Sequence, residues 1–143
     1  GKVHFHGGEL IAAETRFQPQ QRVYYYREVD SEPSIPFKET ILFQDQQLLV
    51  AYKPHFLAVT PGGVYVNECL QTRLRLRTGI EGLQALHRLD RVTAGLVIFS
   101  TNPETSHLYH HLFETRKIHK TYQAIANIRD DEQLVGQEWE VKN

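Results

Sequence analysis

The chain has 143 residues, enough for one domain of ordinary size with at most a small appendage. An apolar share of 41% and a charged share of 23% are those of a soluble globular protein, and no apolar run approaches the roughly 18 residues that a membrane helix needs. The net charge of -1 argues against a general nucleic-acid binder, yet the charges are unevenly placed. In the middle of the chain Arg73, Arg75, Arg77, Arg88, Arg91, Arg116, Lys117, Lys120 and Arg129 face only Glu81, Asp90, Glu104 and Glu114.

Cys69 is the single cysteine, so an intramolecular disulfide is excluded, and no secretion signal stands near Gly1. A cytoplasmic location is expected. A chain that begins at Gly1 and holds no methionine is expected to be a piece of something longer.

In chain order, Lys2 to His6 and Arg22 to Arg27 read as short strands, with a turn at Gly7-Gly8. Residues 1–30 form a β-rich appendage on this reading, and 31–37, with Pro33 and Pro36 among polar residues, a linker. Ile41 to Phe43 and Leu48 to Tyr52 read as a strand pair turned by Asp45, Gln46 and Gln47 and stopped at Lys53-Pro54. Thr60 to Gly63 is a loop. Val66, Leu70 and Leu74, spaced by four, predict a helix with Thr72 and Arg75 on its open side. The run "GLVIFS", Gly95 to Ser100, reads as a strand covered on both faces. Asn102 is placed to cap the next helix with Pro103 in its first position. On that helix Leu108, Tyr109, Leu112 and Phe113 make an apolar arc, opposite His107, His110, His111 and Glu114. Alternation from Ile118 to Ala124 then predicts a strand with Lys120 and Tyr122 on one face.

Asp90, in "HRLDRVTAGLVIF", is the candidate for chemistry. An aspartate titrates near 4, and cations such as Arg88 and Arg91 would pull it lower. Acting as a general acid would require a rise of about three units, roughly 4 kcal/mol, whereas a nucleophile or charge stabiliser needs none. The alternative is a loop aspartate that caps backbone N–H groups or pairs with Arg88. The basic residues Arg73, Arg75, Arg77, Arg116 and Lys117 are either ordinary surface charges or a phosphate-tracking patch. Thr93 and Gly95 are expected to shape the backbone around Asp90, and Lys53 to serve the turn at Pro54 and pack near the site. His107 and His111 lie one helical turn apart, but no third ligand follows at a convincing spacing, so no metal is expected. "HRLD" lacks the glycine-rich loop and D-F-G that a kinase reading of H-R-D requires.

"HRLDRVTAGL" is similar to the signature H-R-L-D-x-x-T-[SA]-G-L of the RluA-type RNA pseudouridine synthases. "ILFQDQQLLVAYKP", residues 41–54, resembles the family's first motif of two strands ending in Lys-Pro. "FETRKIHKTYQAIA", residues 113–126, resembles its F-x-x-R-x-[IV]-x-K-x-Y-x-A segment. The resemblance runs from about residue 38 to 126. It implies an α+β catalytic domain over 38–143, with a mixed, largely antiparallel sheet and flanking helices, incomplete at its C-terminal end. It implies isomerisation of uridine to pseudouridine in ribosomal or transfer RNA, without a cofactor, a membrane or an obligate protein partner. Asp90 would attack the target nucleotide, Tyr122 would stack on the flipped base and assist proton transfer, and Arg88 would fill the gap left in the RNA. Arg91, Arg116 and Lys120 would contact RNA. A flipped base needs an aromatic face and nearby cations, which agrees with these residue types.

This sequence departs from the pattern at His55 and Phe56, where a small residue and a glycine usually follow Lys-Pro, and at Ala94, often a serine. The family's later segment, with an arginine that pairs with the aspartate, finds no match before Asn143, so the 143-residue chain alone is expected to have little or no activity. Residues 1–30 resemble the latter half of an S4-type RNA-binding module, or else are a plain extension. Two other functions stay open: a non-catalytic RNA-binding module that keeps the fold, and a metal-dependent hydrolase built on the histidine helix.

Overall fold

The computed structural model describes residues 3–25 and 31–125. Near the start, β1 (Val3–Phe5) and β2 (Val23–Tyr25) pair antiparallel, as their β-rich composition predicts. The ends of the two predicted strands, at residues 2, 26 and 27, lie outside the described residues.

The main sheet has β3 (Thr40–Gln44), β4 (Leu48–Lys53), β5 (Gln84–Ala85) and β6 (Gly95–Ser100), in the order β3-β4-β6-β5, with every pairing antiparallel. Asp45 makes the β3–β4 turn: its Oδ1 accepts the N–H groups of Gln47 and Leu48 at 2.8 and 2.7 Å. Those bonds hold its carboxyl below the usual carboxylate range. The register steps from Ile41↔Ala51 to Phe43↔Val50, which leaves Leu42 as the extra residue of a bulge.

Period-two alternation sends Leu49, Ala51 and Lys53 of β4 to one face, where they meet Val97 and Phe99 of β6. Leu57, Val59, Leu83 and two residues of α1 (Leu70–Thr78), Leu70 and Leu74, complete the core. The expectation that "GLVIFS" is covered on both faces fails. Leu96 is 56% exposed and Ile98 half-buried, so among the described residues the second face of β6 is open.

Helix α1 starts at Leu70, and Val66 lies in the loop before it, contrary to the four-residue spacing. The competing interaction is visible: the Glu32 carboxylate accepts the N–H groups of Val66, Asn67 and Glu68 at 2.8–2.9 Å, and the Asn67 side-chain amide at 2.8 Å. These backbone donors are therefore satisfied by a side chain rather than by a helix. Gly79, at φ 71, ends α1 and returns its N–H to the Arg75 carbonyl, a left-handed cap that glycine adopts without a Cβ penalty.

Arg75 does not face open water as predicted, since its guanidinium donates to the Leu83 carbonyl at 2.8 and 3.1 Å. Thr72 bonds the Val66 carbonyl. Arg73 donates to the Ile35 and Phe37 carbonyls and pairs with Glu39 and Glu68. Arg77 shares Glu39. The phosphate-tracking reading of Arg73 and Arg75 is thereby corrected: their donors are used to tie residues 35–39 and 83 to α1.

Around Glu32, partial burial pushes its carboxyl up, but the backbone donors of Glu68, Asn67 and Val66 outweigh it and hold the group below its usual value. A carboxyl depressed in the folded state stabilises fully above its unfolded pKa, and that contribution is lost as pH falls through the folded value. Glu32→Gln is expected to flatten the acid limb of stability below about pH 4.5. Urea unfolding of both proteins from pH 3 to 7 checks this, and identical limbs would count against it.

At the end of β4 the chain turns through Phe56, whose φ of 66 lies in the left-handed region. This is the position where the related pattern carries glycine, and here a phenylalanine accepts the strain, its ring 6.1 Å from that of Phe37. A β-branched residue tolerates this backbone least. Phe56→Val is expected to lower stability by roughly 1–2 kcal/mol more than Phe56→Gly does, read from paired thermal melts.

Helix α2 (Ser106–Glu114) begins later than predicted. Asn102 and Pro103 open a preceding turn in which Asn102 Oδ1 accepts the Glu104 N–H at 3.0 Å, and Thr105 is the N-cap. Of the predicted apolar arc, Tyr109, Leu112 and Phe113 are half-buried while Leu108 is exposed. The strand predicted from Ile118 to Ala124 is absent: the described part of the chain after α2 pairs with no strand.

Candidate functional site

The site grows from the end of the β5–β6 pairing. Leu86 donates its N–H to the Ile98 carbonyl at 2.9 Å, continuing the ladder beyond Ala85. At the next residue a side chain takes over, as His87 Nε2 accepts the Ile98 N–H at 3.2 Å. An Nε2 that accepts carries no hydrogen, so the ring is neutral with its hydrogen on Nδ1. Burial and then the charge of Lys120 push the His87 pKa down, which favours that form, and they outweigh the Arg88 backbone, which pushes it up. Among the described residues, His87 Nδ1 is buried without a hydrogen-bond partner. The ring stacks on Phe113, centroids 4.8 Å apart and planes at 25°, and the Lys120 ammonium stands 5.3 Å from the Phe113 centroid.

Beyond His87 the chain leaves the sheet, turns at Asp90, and returns at Gly95. The Thr93 N–H donates to the Asp90 carbonyl at 3.0 Å, which closes the turn. Gly95 has φ 144, a backbone that L side chains rarely adopt, and a Cβ there would stand 3.4 Å from Leu89. The predicted shaping roles of Thr93 and Gly95 therefore have a geometric basis.

A cleft of about 760 Å³ lies against this turn. Leu89, Leu96, Ile98, Phe113 and Ile118 give it apolar walls, and His55, Thr93, Lys120 and Tyr122 add polar groups. Its size and mixed lining suit a flat heterocycle, with Tyr122, 62% exposed, as an aromatic face.

Asp90 itself is exposed, and its neighbours Leu89 and Val92 line the cleft. Its carboxylate forms no hydrogen bond or ion pair among the described residues, so the alternative of a capping or Arg88-paired aspartate finds no support there. Its charge is felt by Lys53, which is fully buried. Burial lowers the Lys53 pKa and the Asp90 charge raises it, leaving it at about 8. The ammonium donates to the carbonyls of Pro54, Leu57 and Arg91 at 3.1, 2.7 and 3.2 Å.

Of the other residues singled out from sequence, Lys120 and Tyr122 are brought to the cleft, although not by a shared strand face. Arg88, Arg91 and Arg116 are exposed and do not line it. The Arg91 guanidinium rests 5.9 Å from the Tyr65 ring centroid. His107 and His111 are exposed, His111 lies 3.8 Å from Glu114, and no group of three or more possible metal ligands occurs among the described residues.

Two contributors escaped sequence reasoning: the neutral His87, and the hydrogen bond from His55 Nδ1 to the Val92 carbonyl at 2.7 Å. Lys53, expected at the turn, does bond the Pro54 carbonyl, from a fully buried position.

Comparison with known proteins gives a consistent picture. An uncharacterized RNA pseudouridine synthase of Synechocystis is 32% identical over 64% of this chain and 31% of its own length. The ribosomal large subunit pseudouridine synthase C of Rickettsia conorii is 29% identical over 84% of this chain and 41% of its own. The structure of human RNA pseudouridylate synthase domain containing 4 is 32% identical and aligns with a TM-score of 0.44, covering 54% of this chain and 30% of that one. The chain thus spans well under half the length of these relatives. A model of the RNA pseudouridylate synthase family matches residues 47–142, which take in the Asp90 turn and the cleft, and on that match this chain belongs to the RNA pseudouridylate synthase family.

Proposed function

We propose that this protein isomerises selected uridines to pseudouridine in structured RNA, with Asp90 as the nucleophile. The observation that carries this reading is an unpaired carboxylate on a closed turn beside a cleft that offers Tyr122 and Lys120. The target nucleotide leaves its stack and its uracil enters the cleft against Tyr122. An Asp90 oxygen bonds to C1′ as the N1–C1′ bond breaks, and the uracil turns so that C5 faces the sugar. The C5–C1′ bond then forms as the carboxylate leaves, C5 loses its proton and N1 gains one. No atom or electron is gained overall, so one nucleophile and a positioned ring suffice.

Arg88 fills the gap that the flipped nucleotide leaves, and Lys120, with Arg91 and Arg116 outside the cleft, supplies phosphate contacts that hold the RNA without choosing its sequence. The Rickettsia relative is named for the large ribosomal subunit. For this chain a ribosomal or transfer RNA is proposed as substrate. Nucleotide-resolution pseudouridine maps of both RNA classes, from cells with and without the gene, test the reading. Loss of modification at discrete uridines is expected, and an unchanged map would overturn it in favour of an RNA-binding module.

A further inference from the structure

We infer that His55 is a positioning residue for Asp90, acting through the Val92 carbonyl as the outermost of three clamps on the nucleophile turn. This rests on the proposed role of Asp90. Three successive carbonyls of that turn are each held by a donor: Asp90 by the Thr93 N–H at 3.0 Å, Arg91 by Lys53 Nζ at 3.2 Å, and Val92 by His55 Nδ1 at 2.7 Å. The first donor belongs to the turn itself. The other two come from the segment leaving β4, whose last residue, Lys53, is paired with Gly95 at the re-entry to β6.

Lys53 holds its carbonyl from inside the core, whereas His55 is exposed, lines the cleft and closes the turn from the solvent side. A carbonyl only accepts, so Nδ1 must carry its hydrogen. A turn held at all three carbonyls has fewer ways to carry Asp90 off line, and misplacement of a reacting atom by about 1 Å can cost on the order of 100-fold in rate.

The test uses shape against donor capacity. Asparagine places an N–H donor close to the position of Nδ1, aspartate has the same shape but only accepts, and alanine has neither. In single-turnover pseudouridine formation by the full-length protein, His55→Ala is expected to slow the reaction about tenfold with RNA affinity changed less than about twofold. His55→Asn is expected to recover to within about threefold of the parent, and His55→Asp to fall at least as far as alanine. Alanine without effect, or asparagine no better than alanine, overturns the inference.

A second readout does not depend on activity. Nitrogen NMR is expected to show the His55 hydrogen on Nδ1, and exchange of the Thr93 amide to quicken in His55→Ala and not in His55→Asn. A neutral ring protonated on Nε2, or equal exchange in the two variants, sinks the clamp even where the parent forms pseudouridine. If the parent forms none, the function proposed for Asp90 fails, and the NMR result alone decides whether the turn is held by His55.

Discussion

In the full-length protein, Asp90→Asn is expected to abolish pseudouridine formation, by a factor of at least about 10³, while RNA binding stays within about threefold of the parent. The amide has almost the same size, so the turn survives: the Thr93 bond goes to the Asp90 backbone carbonyl, not to the side chain. What is lost is an anionic oxygen able to bond to carbon and leave again. On the proposed function, binding is set elsewhere, by Tyr122 and the cations, so affinity and turnover are expected to separate. Filter binding and single-turnover assays on one RNA read both quantities. Equal loss of both would mean that Asp90 holds RNA rather than attacking it, and retained turnover would remove it from the chemistry altogether.

The parts of this protein legible in its sequence are those whose pattern has a single structural solution. β4 is an apolar run with a turn aspartate ahead of it and Lys53-Pro54 at its end, so its position follows directly, whereas its inward face does not, because Leu48 and Val50 are as apolar as Leu49 and Ala51. β6 was recognisable as a strand, but its coverage was not, because a continuous apolar run does not say what lies on each face. Boundaries failed where a distant side chain competes for backbone donors. Glu32 captures three N–H groups ahead of α1 from 34 to 36 positions away, and nothing local to residues 66–69 announces that. The segment of Lys120 and Tyr122 failed for a related reason: alternation marks strand potential, and a strand also needs a partner edge. The family resemblance, and not residue type alone, singles out Asp90, Lys120 and Tyr122; Lys120 and Tyr122 line the cleft, and Asp90 stands on the turn beside it. Of the supports around Asp90, the parts of His55 and His87 were not legible, since they act through a carbonyl and a ring supplied by the fold.

Among those supports Lys53 is expected to have the largest effect on stability. Lys53→Met keeps a long apolar stem in the core but leaves the Pro54, Leu57 and Arg91 carbonyls without their donor. Each buried unsatisfied acceptor costs on the order of 1–3 kcal/mol, and relief from burying a cation offsets part of the sum, so a net loss of roughly 2–4 kcal/mol is expected at neutral pH. The pH dependence identifies the cause. With a folded pKa of about 8, against 10.5 for the free side chain, the folded protein gives up this proton before the unfolded chain does. Stability therefore rises with pH through this window, is greatest above about 10.5 and falls away as pH drops through about 8, a span of about 3 kcal/mol at most. All other groups are common to both proteins, so the difference between parent and Lys53→Met in urea unfolding from pH 7 to 11 isolates Lys53. A parallel pair of curves would show that the buried ammonium carries no such penalty. Asp90→Asn adds a third curve, since removing the one charge that raises the Lys53 pKa is expected to start the climb at lower pH. Asp90 and Lys53 are thus coupled in both directions: Lys53 holds the turn that presents Asp90, and Asp90 helps keep Lys53 charged.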